Sequence, residues 1–159
     1  MMTYYQERLL VIIEQANYSS LTKKAYRSDV RHLCRHVERI DFPSLQRYGK
    51  FLRDTYAPAT AARRLHALSI LFDQLVVECS LQTNPLARVK KPVPAPYRRL
   101  AFTYDDVHRV LETIRDETVY AFSFLLLHTG LRFSEARDLR LVDVDFARDQ
   151  VLVRSGKGD

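Results

Sequence analysis

The stretch "LLLHTGLRFSEARDLRLVDVDF", Leu125 to Phe146, passes from an apolar helix to a stop at Thr129-Gly130-Leu131 and then places a permanent cation, Arg132, directly behind it. Gly130 is the natural C-cap, because glycine reaches the left-handed backbone of a helix terminus at little cost. The chain is therefore expected to turn sharply out of a core and to deliver Arg132 at a surface or cleft. Beside it "SEARDL" reads as a short helix with Ser134 near its cap. Val142, Val144 and Phe146 then alternate, the pattern breaks at Ala147 to Gln150, and Val151, Leu152 and Val153 resume it. This predicts a β-hairpin, although its turn lacks Asn-Gly or Asp-Gly. Lys157 follows between two glycines, on backbone able to approach a ligand closely.

Upstream of this stretch, "ETVYAFSFLLL" is apolar nearly all round and predicts a helix central to its domain. Thr103 followed by Asp106 resembles a capping box and predicts a helix from Tyr104 to Ile114, with Val107, Val110, Leu111 and Ile114 inward. Before that comes "NPLARVKKPVPAPYRRL", Asn84 to Leu100, with four of the chain's six prolines. It cannot sustain a helix and reads as an interdomain linker. The expected division is a helical domain over 1–87, a linker over 88–99 and a second domain over 100–159.

The first domain is helical almost throughout. Helices are expected over Tyr4–Ala16, over Leu21–Ile40 with Ser20 as N-cap, from Pro43 through Leu52, and from Pro58 to Cys79. In the second of these, Tyr26, Val30, Leu33 and Val37 form one apolar stripe, while Lys24, Arg27, Arg31 and Arg35 form a ridge at spacings of three, four and four, widened by Lys23. Arg63, Arg64 and His66 lie in the first turns of the fourth helix. Four short-linked helices of this kind suggest a small bundle.

Charge divides along the same boundary. Met1 to Arg99 carries 17 Lys+Arg against 8 Asp+Glu, whereas Leu100 to Asp159 carries 8 against 11. The first part is thus net +9 and the second net −3, which recovers the chain's +6. A basic excess confined to one half points to a partner with a dense negative surface, nucleic acid first and acidic lipid second. With 47% hydrophobic residues the chain is too apolar to be disordered. Its longest apolar runs fall far short of the roughly 20 residues of a membrane span. No signal peptide is recognisable at the N-terminus, so a cytoplasmic protein with no membrane partner is expected. Cys34 and Cys79 lack zinc-ligand spacing and read as core thiols. His32 and His36, one turn apart, raise a metal site only weakly, since Arg31 and Arg35 repel a cation and no third ligand is evident. They read as flanking the basic ridge.

"HTGLRFSEARDLRLVDVDF" is similar to the signature of the tyrosine recombinases, the phage-integrase and site-specific recombinase family, through Thr129, Gly130, Leu131, Arg132, Glu135, Leu139 and Asp143. "SGKG", Ser155 to Gly158, resembles that family's Gly-Lys-Gly turn. "SSLTKKAYRSDVRHLCRHV" and "ATAARRLHALSILF" resemble helices of its core-binding domain. The resemblance implies a mainly α fold: an N-terminal four-helix SAM-like bundle followed by an incomplete α+β catalytic domain with a β-hairpin near the C-terminus.

It also implies a chemistry, transesterification at a DNA phosphodiester through a phosphotyrosyl link, with no cofactor and no metal. Charge on the phosphoryl oxygens must then be met by fixed donors, a task suited to guanidinium. Arg132 would be that clamp, Glu135 its buttress, and Lys157 the acid that protonates the leaving oxygen. Double-stranded DNA is the implied partner, contacted by Lys23, Lys24, Arg27, Arg31, Arg35, Arg63, Arg64, Lys90, Lys91, Arg98 and Arg99. Other recombinase protomers would join it on DNA.

The bland readings stand beside these: a C-cap arginine, a surface lysine and glutamate, and solvated helix faces. The family's second arginine, its His or Trp and its nucleophilic tyrosine do not appear before Asp159, and all nine tyrosines lie upstream of Arg132. The chain alone is therefore expected not to cleave DNA. A non-catalytic DNA-binding remnant or regulator is the alternative, and a helical protein-interaction adaptor the minor one.

Overall fold

In the computed structural model, which describes residues 2–93, 96 and 101–154, seven α-helices and one short antiparallel strand pair are found among the described residues. The fold is mainly α. The chain divides into two compact units, Met1–Tyr97 and Arg98–Asp159.

The first unit contains α1 (Met2–Gln15), α2 (Ser20–His36), α3 (Phe42–Thr55) and α4 (Pro58–Val77). The start of α2 is capped by Ser19 rather than Ser20: the Ser19 hydroxyl accepts the Thr22 amide at 3.2 Å. The helix also stops at His36, short of Ile40, because Val37 adopts an extended backbone and buries its side chain to 4% exposure. Asp41 caps α3 by accepting the Ser44 amide at 2.8 Å. Pro58 opens α4 at the position where a missing N–H costs nothing.

The core runs the length of α4, which packs against each of the other three helices. Leu65, Leu68, Leu71, Phe72 and Leu75 are fully buried, together with Leu9 and Ile13 of α1, Leu33 of α2, and Leu45 and Leu52 of α3. The bundle does not end with α4. Leu86 and Val89 belong to the same core, and Asn84 fastens this segment by donating to the Ser69 carbonyl at 3.0 Å and Asp73 at 2.7 Å. Arg53 donates to the Lys90 carbonyl at 2.7 Å. Gly49, in the middle of α3, makes room for this return: a Cβ there would lie 2.6 Å from Val89 Cγ1.

The second unit holds α5 (Tyr104–Thr113), α6 (Glu117–Thr129), α7 (Phe133–Arg137), a 3-10 turn over Leu141–Asp143, and strands β1 (Val144–Asp145) and β2 (Gln150–Val151). Both halves of the Thr103/Asp106 capping box form. Asp116 caps α6, and Gly130 ends it with φ +67°. The strands pair antiparallel, Val144 with Val151 and Asp145 with Gln150. They are shorter than the alternation predicts. The 3-10 turn takes Val142, and the Asp145 carboxylate captures the amides of Ala147 and Arg148 to close the turn.

A second expectation is not met. No residue of α6 is buried; Val119, Tyr120, Phe124 and Leu127 are all more than 40% exposed. Among the described elements α5 and α7 provide the main packing on it, and they cover part of its circumference.

Candidate nucleic-acid interface and phosphate site

The basic residues of α2 sort into two kinds. Lys23 donates to the Glu14 carbonyl at 2.7 Å, and Arg27 Nε donates to the Glu14 carboxylate at 2.6 Å. These two fasten α2 to the end of α1, where a cation also complements the helix dipole. Lys24, Arg31 and Arg35 are exposed and form no ion pair among the described residues. They are the part of the ridge that can meet a ligand. Lys90 and Lys91 are exposed as well, whereas Arg98, Arg99 and Lys157 lie outside the described residues.

Arg63 and Arg64 are held differently. Both turn toward Asp29 of α2, which is 1% exposed. Arg63 grips it with a fork, Nη1 to Oδ2 at 2.7 Å and Nη2 to Oδ1 at 2.9 Å, while its side chain remains 50% exposed. Arg64 Nε stands 3.6 Å from Oδ1, and its guanidinium lies 4.7 Å from the centroid of the Tyr56 ring. Arg64 is only 16% exposed, and its buried Nε and Nη1 make no hydrogen bond among the described residues. It is a packing cation.

His32 does not flank the ridge; it is the hub of a polar cluster against α3. Nδ1 bonds the Tyr48 hydroxyl at 2.8 Å and Nε2 the Tyr56 hydroxyl at 3.0 Å. Burial, and then the nearby Arg64 charge, press its pKa down to about 4, so the ring is neutral with one nitrogen donating and the other accepting. His36 stacks on it, 4.4 Å between centroids. No group of three or more potential metal ligands occurs among the described residues.

In the second unit the turn after α6 is fixed from both sides. The Thr129 hydroxyl donates to the Leu125 carbonyl at 2.6 Å and accepts the Leu131 amide at 3.3 Å. Arg132 then sits at the N-cap of α7. Its amide donates to Glu135 Oε2 at 2.8 Å and its Nη1 to Oε1 at 2.6 Å. These bonds, the backbone one first, hold the Glu135 carboxyl below its ordinary pKa. Arg132 therefore pairs with a glutamate one turn on rather than with the carbonyls ending α6, and stays 61% exposed.

Asp143 is the buried acid of this unit, at 4% exposure. Its carboxylate accepts from the Arg154 guanidinium and from the Arg140 amide, and its carbonyl accepts the Leu152 amide at 2.8 Å. It ties the outgoing hairpin arm to the segment after α7, and a small cleft lined by Ser134, Glu135, Asp143 and Arg154 lies between them. Asp29 is absent from the residues the sequence nominates, and Asp143 enters there only as part of the recombinase-like signature, with no role of its own. A signal existed for the first: an acid among apolar positions on the inner face of an otherwise basic helix.

No family model matches the chain. Curated relatives do. An integrase/recombinase of Escherichia coli is 29% identical over 151 residues, covering 92% of this chain and 44% of its own. A tyrosine recombinase XerC of Chromohalobacter salexigens is 31% identical over 155 residues, covering 89% and 51%. A tyrosine recombinase XerD of Lacticaseibacillus casei is 28% identical over 127 residues, covering 75% and 42%. The chain thus spans about half the length of the curated relatives it matches. A solved XerA recombinase aligns with all of this chain and 57% of its own at 24% identity, with a TM-score of 0.45.

Proposed function

Because the chain belongs to the tyrosine recombinase family, we propose that it binds double-stranded DNA through the helical unit, and that its second unit offers Arg132 to a phosphodiester. The observation that carries this reading is the row of three exposed cations without ion-pair partners on α2, Lys24, Arg31 and Arg35. On a chain whose other α2 and α4 cations are tied to acids or carbonyls, these have a charge to spend on phosphate.

At the second unit, Arg132 is a pre-aimed donor. Glu135 takes one Nη1 bond and leaves most of the guanidinium open, and the backbone bond from the same carboxylate fixes the turn that carries it. Arg132 would neutralise charge building on the non-bridging oxygens, and Lys157 would hand a proton to the leaving oxygen. Three more protein groups would complete the site in an active recombinase: a second arginine, a histidine or tryptophan, and the tyrosine nucleophile. Within these 159 residues every tyrosine precedes Arg132. The polypeptide by itself is therefore expected to occupy DNA without cutting it, and a denaturation-resistant adduct on a nicked duplex would contradict that.

The binding claim is tested by replacing Lys24, Arg31 and Arg35 together with alanine. These positions are exposed, so each change should move stability by less than about 0.5 kcal/mol. Duplex affinity should fall and the slope of log K against log salt should shrink by about 2 to 3, the loss of three phosphate contacts. An unchanged affinity with an intact fold would rule out these three cations as the DNA contact, and failure of the unaltered chain to bind duplex would favour the adaptor reading instead.

A further inference from the structure

Arg63 is half-exposed, yet its guanidinium is already locked in place by an acid that is almost completely buried. One carboxylate, Asp29, faces two guanidinium groups, so the cluster keeps a net positive charge. The fork from Arg63 uses two of its five N–H donors and leaves three for another acceptor. On a helical wheel of 100° per residue, Lys24, Arg31 and Arg35 lie roughly 120–160° around α2 from Asp29. On the same wheel Ser28 and Leu21, the latter 77% exposed, lie on the arc between that ridge and Asp29, the residue that Arg63 grips from α4. The arc thus runs from the exposed cations of α2 at one end to Asp29, with its two α4 arginines, at the other.

We propose that Asp29 is a positioning residue for DNA binding: it holds Arg63 as a second phosphate contact across this arc from the α2 ridge. The inference rests on the DNA-binding reading above and adds to it. An unrestrained arginine must surrender rotamer freedom when it meets a phosphate; one already clamped by a buried carboxylate has surrendered most of it on folding. Arg64, buried beneath and stacked on Tyr56, braces the clamp but makes no contact with DNA itself.

The test is the Asp29→Asn variant of the full chain, measured for duplex binding by fluorescence anisotropy across a salt series, with circular dichroism to choose a temperature at which it is folded. Removing a negative charge should by itself tighten binding to a polyanion. A positioning role predicts the opposite, roughly tenfold weaker binding, the size of one charge-assisted hydrogen bond. Arg63→Ala is the second variant and should reduce the salt slope by about one.

Equal or tighter binding by folded Asp29→Asn would overturn the proposal, as would an unchanged salt slope for Arg63→Ala. Either result, with the unaltered chain still binding duplex, would leave the DNA-binding reading standing. Failure of the unaltered chain to bind duplex would remove both.

Discussion

At the scale of single residues, the polar groups inside the bundle do more than the charge pattern conveys. His32 sits where a helical wheel marks a neutral flank, but two tyrosine hydroxyls converge on it. Nothing in the local sequence announces this, because Tyr48 and Tyr56 belong to α3 and the turn after it, and only packing brings them to α2. Tyr48→Phe leaves a His32 nitrogen without its partner and should cost about 1–2 kcal/mol, read from the urea midpoint. The same ring gives a pH signature. Its ordinary pKa is 6.5 and its value in the fold is about 4, so between those values the unfolded chain holds the proton more tightly. The contribution from neutral His32 is complete above about pH 6.5 and drains away as pH falls toward 4. Wild-type protein should therefore lose urea resistance more steeply across that window than His32→Phe; parallel curves would argue against a neutral, buried ring.

At the scale of elements, most helices could be placed from sequence because their caps are local. Thr103 with Asp106, Pro58 and Gly130 each act within one turn, and each forms as its position suggests. The end of α2 that sequence missed depends on packing instead, since the helix stops where Val37 turns inward, whereas the strands shorten for a local reason, the Asp145 carboxylate claiming the turn. Gly49 is the clearest case. A glycine inside a helix ordinarily gains about 1 kcal/mol on mutation to alanine. Here the added methyl meets Val89, so Gly49→Ala should destabilise by about 1–3 kcal/mol and release the segment after Pro85, seen as new protease cleavage near Arg88. Gly130 tests the opposite mechanism. No atom lies within 4 Å of its missing Cβ, and Gly130→Ala should cost only the strain of φ +67°, about 1 kcal/mol.

At the scale of the whole molecule, the split in charge and the split in burial follow the same division of the chain. The first unit has a continuous apolar core, whereas in the second only Leu111 and Ala136 are buried apolar residues among those described. The all-round apolar pattern of α6 was legible, but burial was not, since it depends on what packs around the helix. In this polypeptide the amides of α6 should accordingly exchange with deuterium far faster than those of α4; equal protection would contradict the difference. The arginine turn was equally legible, down to the pairing of Arg132 with Glu135. The division of the basic residues was not, because free and committed cations look alike until Glu14 and Asp29 are seen beside them. No helix among the described residues is long and apolar enough to cross a membrane; the explanation proposed for the basic unit is a duplex DNA partner.

The salt dependence of duplex binding by the intact 159-residue chain is the most direct measurement of that explanation. Binding through Lys24, Arg31, Arg35 and Arg63 predicts that log K falls linearly with log salt, with a slope near −3 to −4, at about 0.9 per phosphate contact. A slope near zero, or no binding to duplex at low salt, would contradict the account.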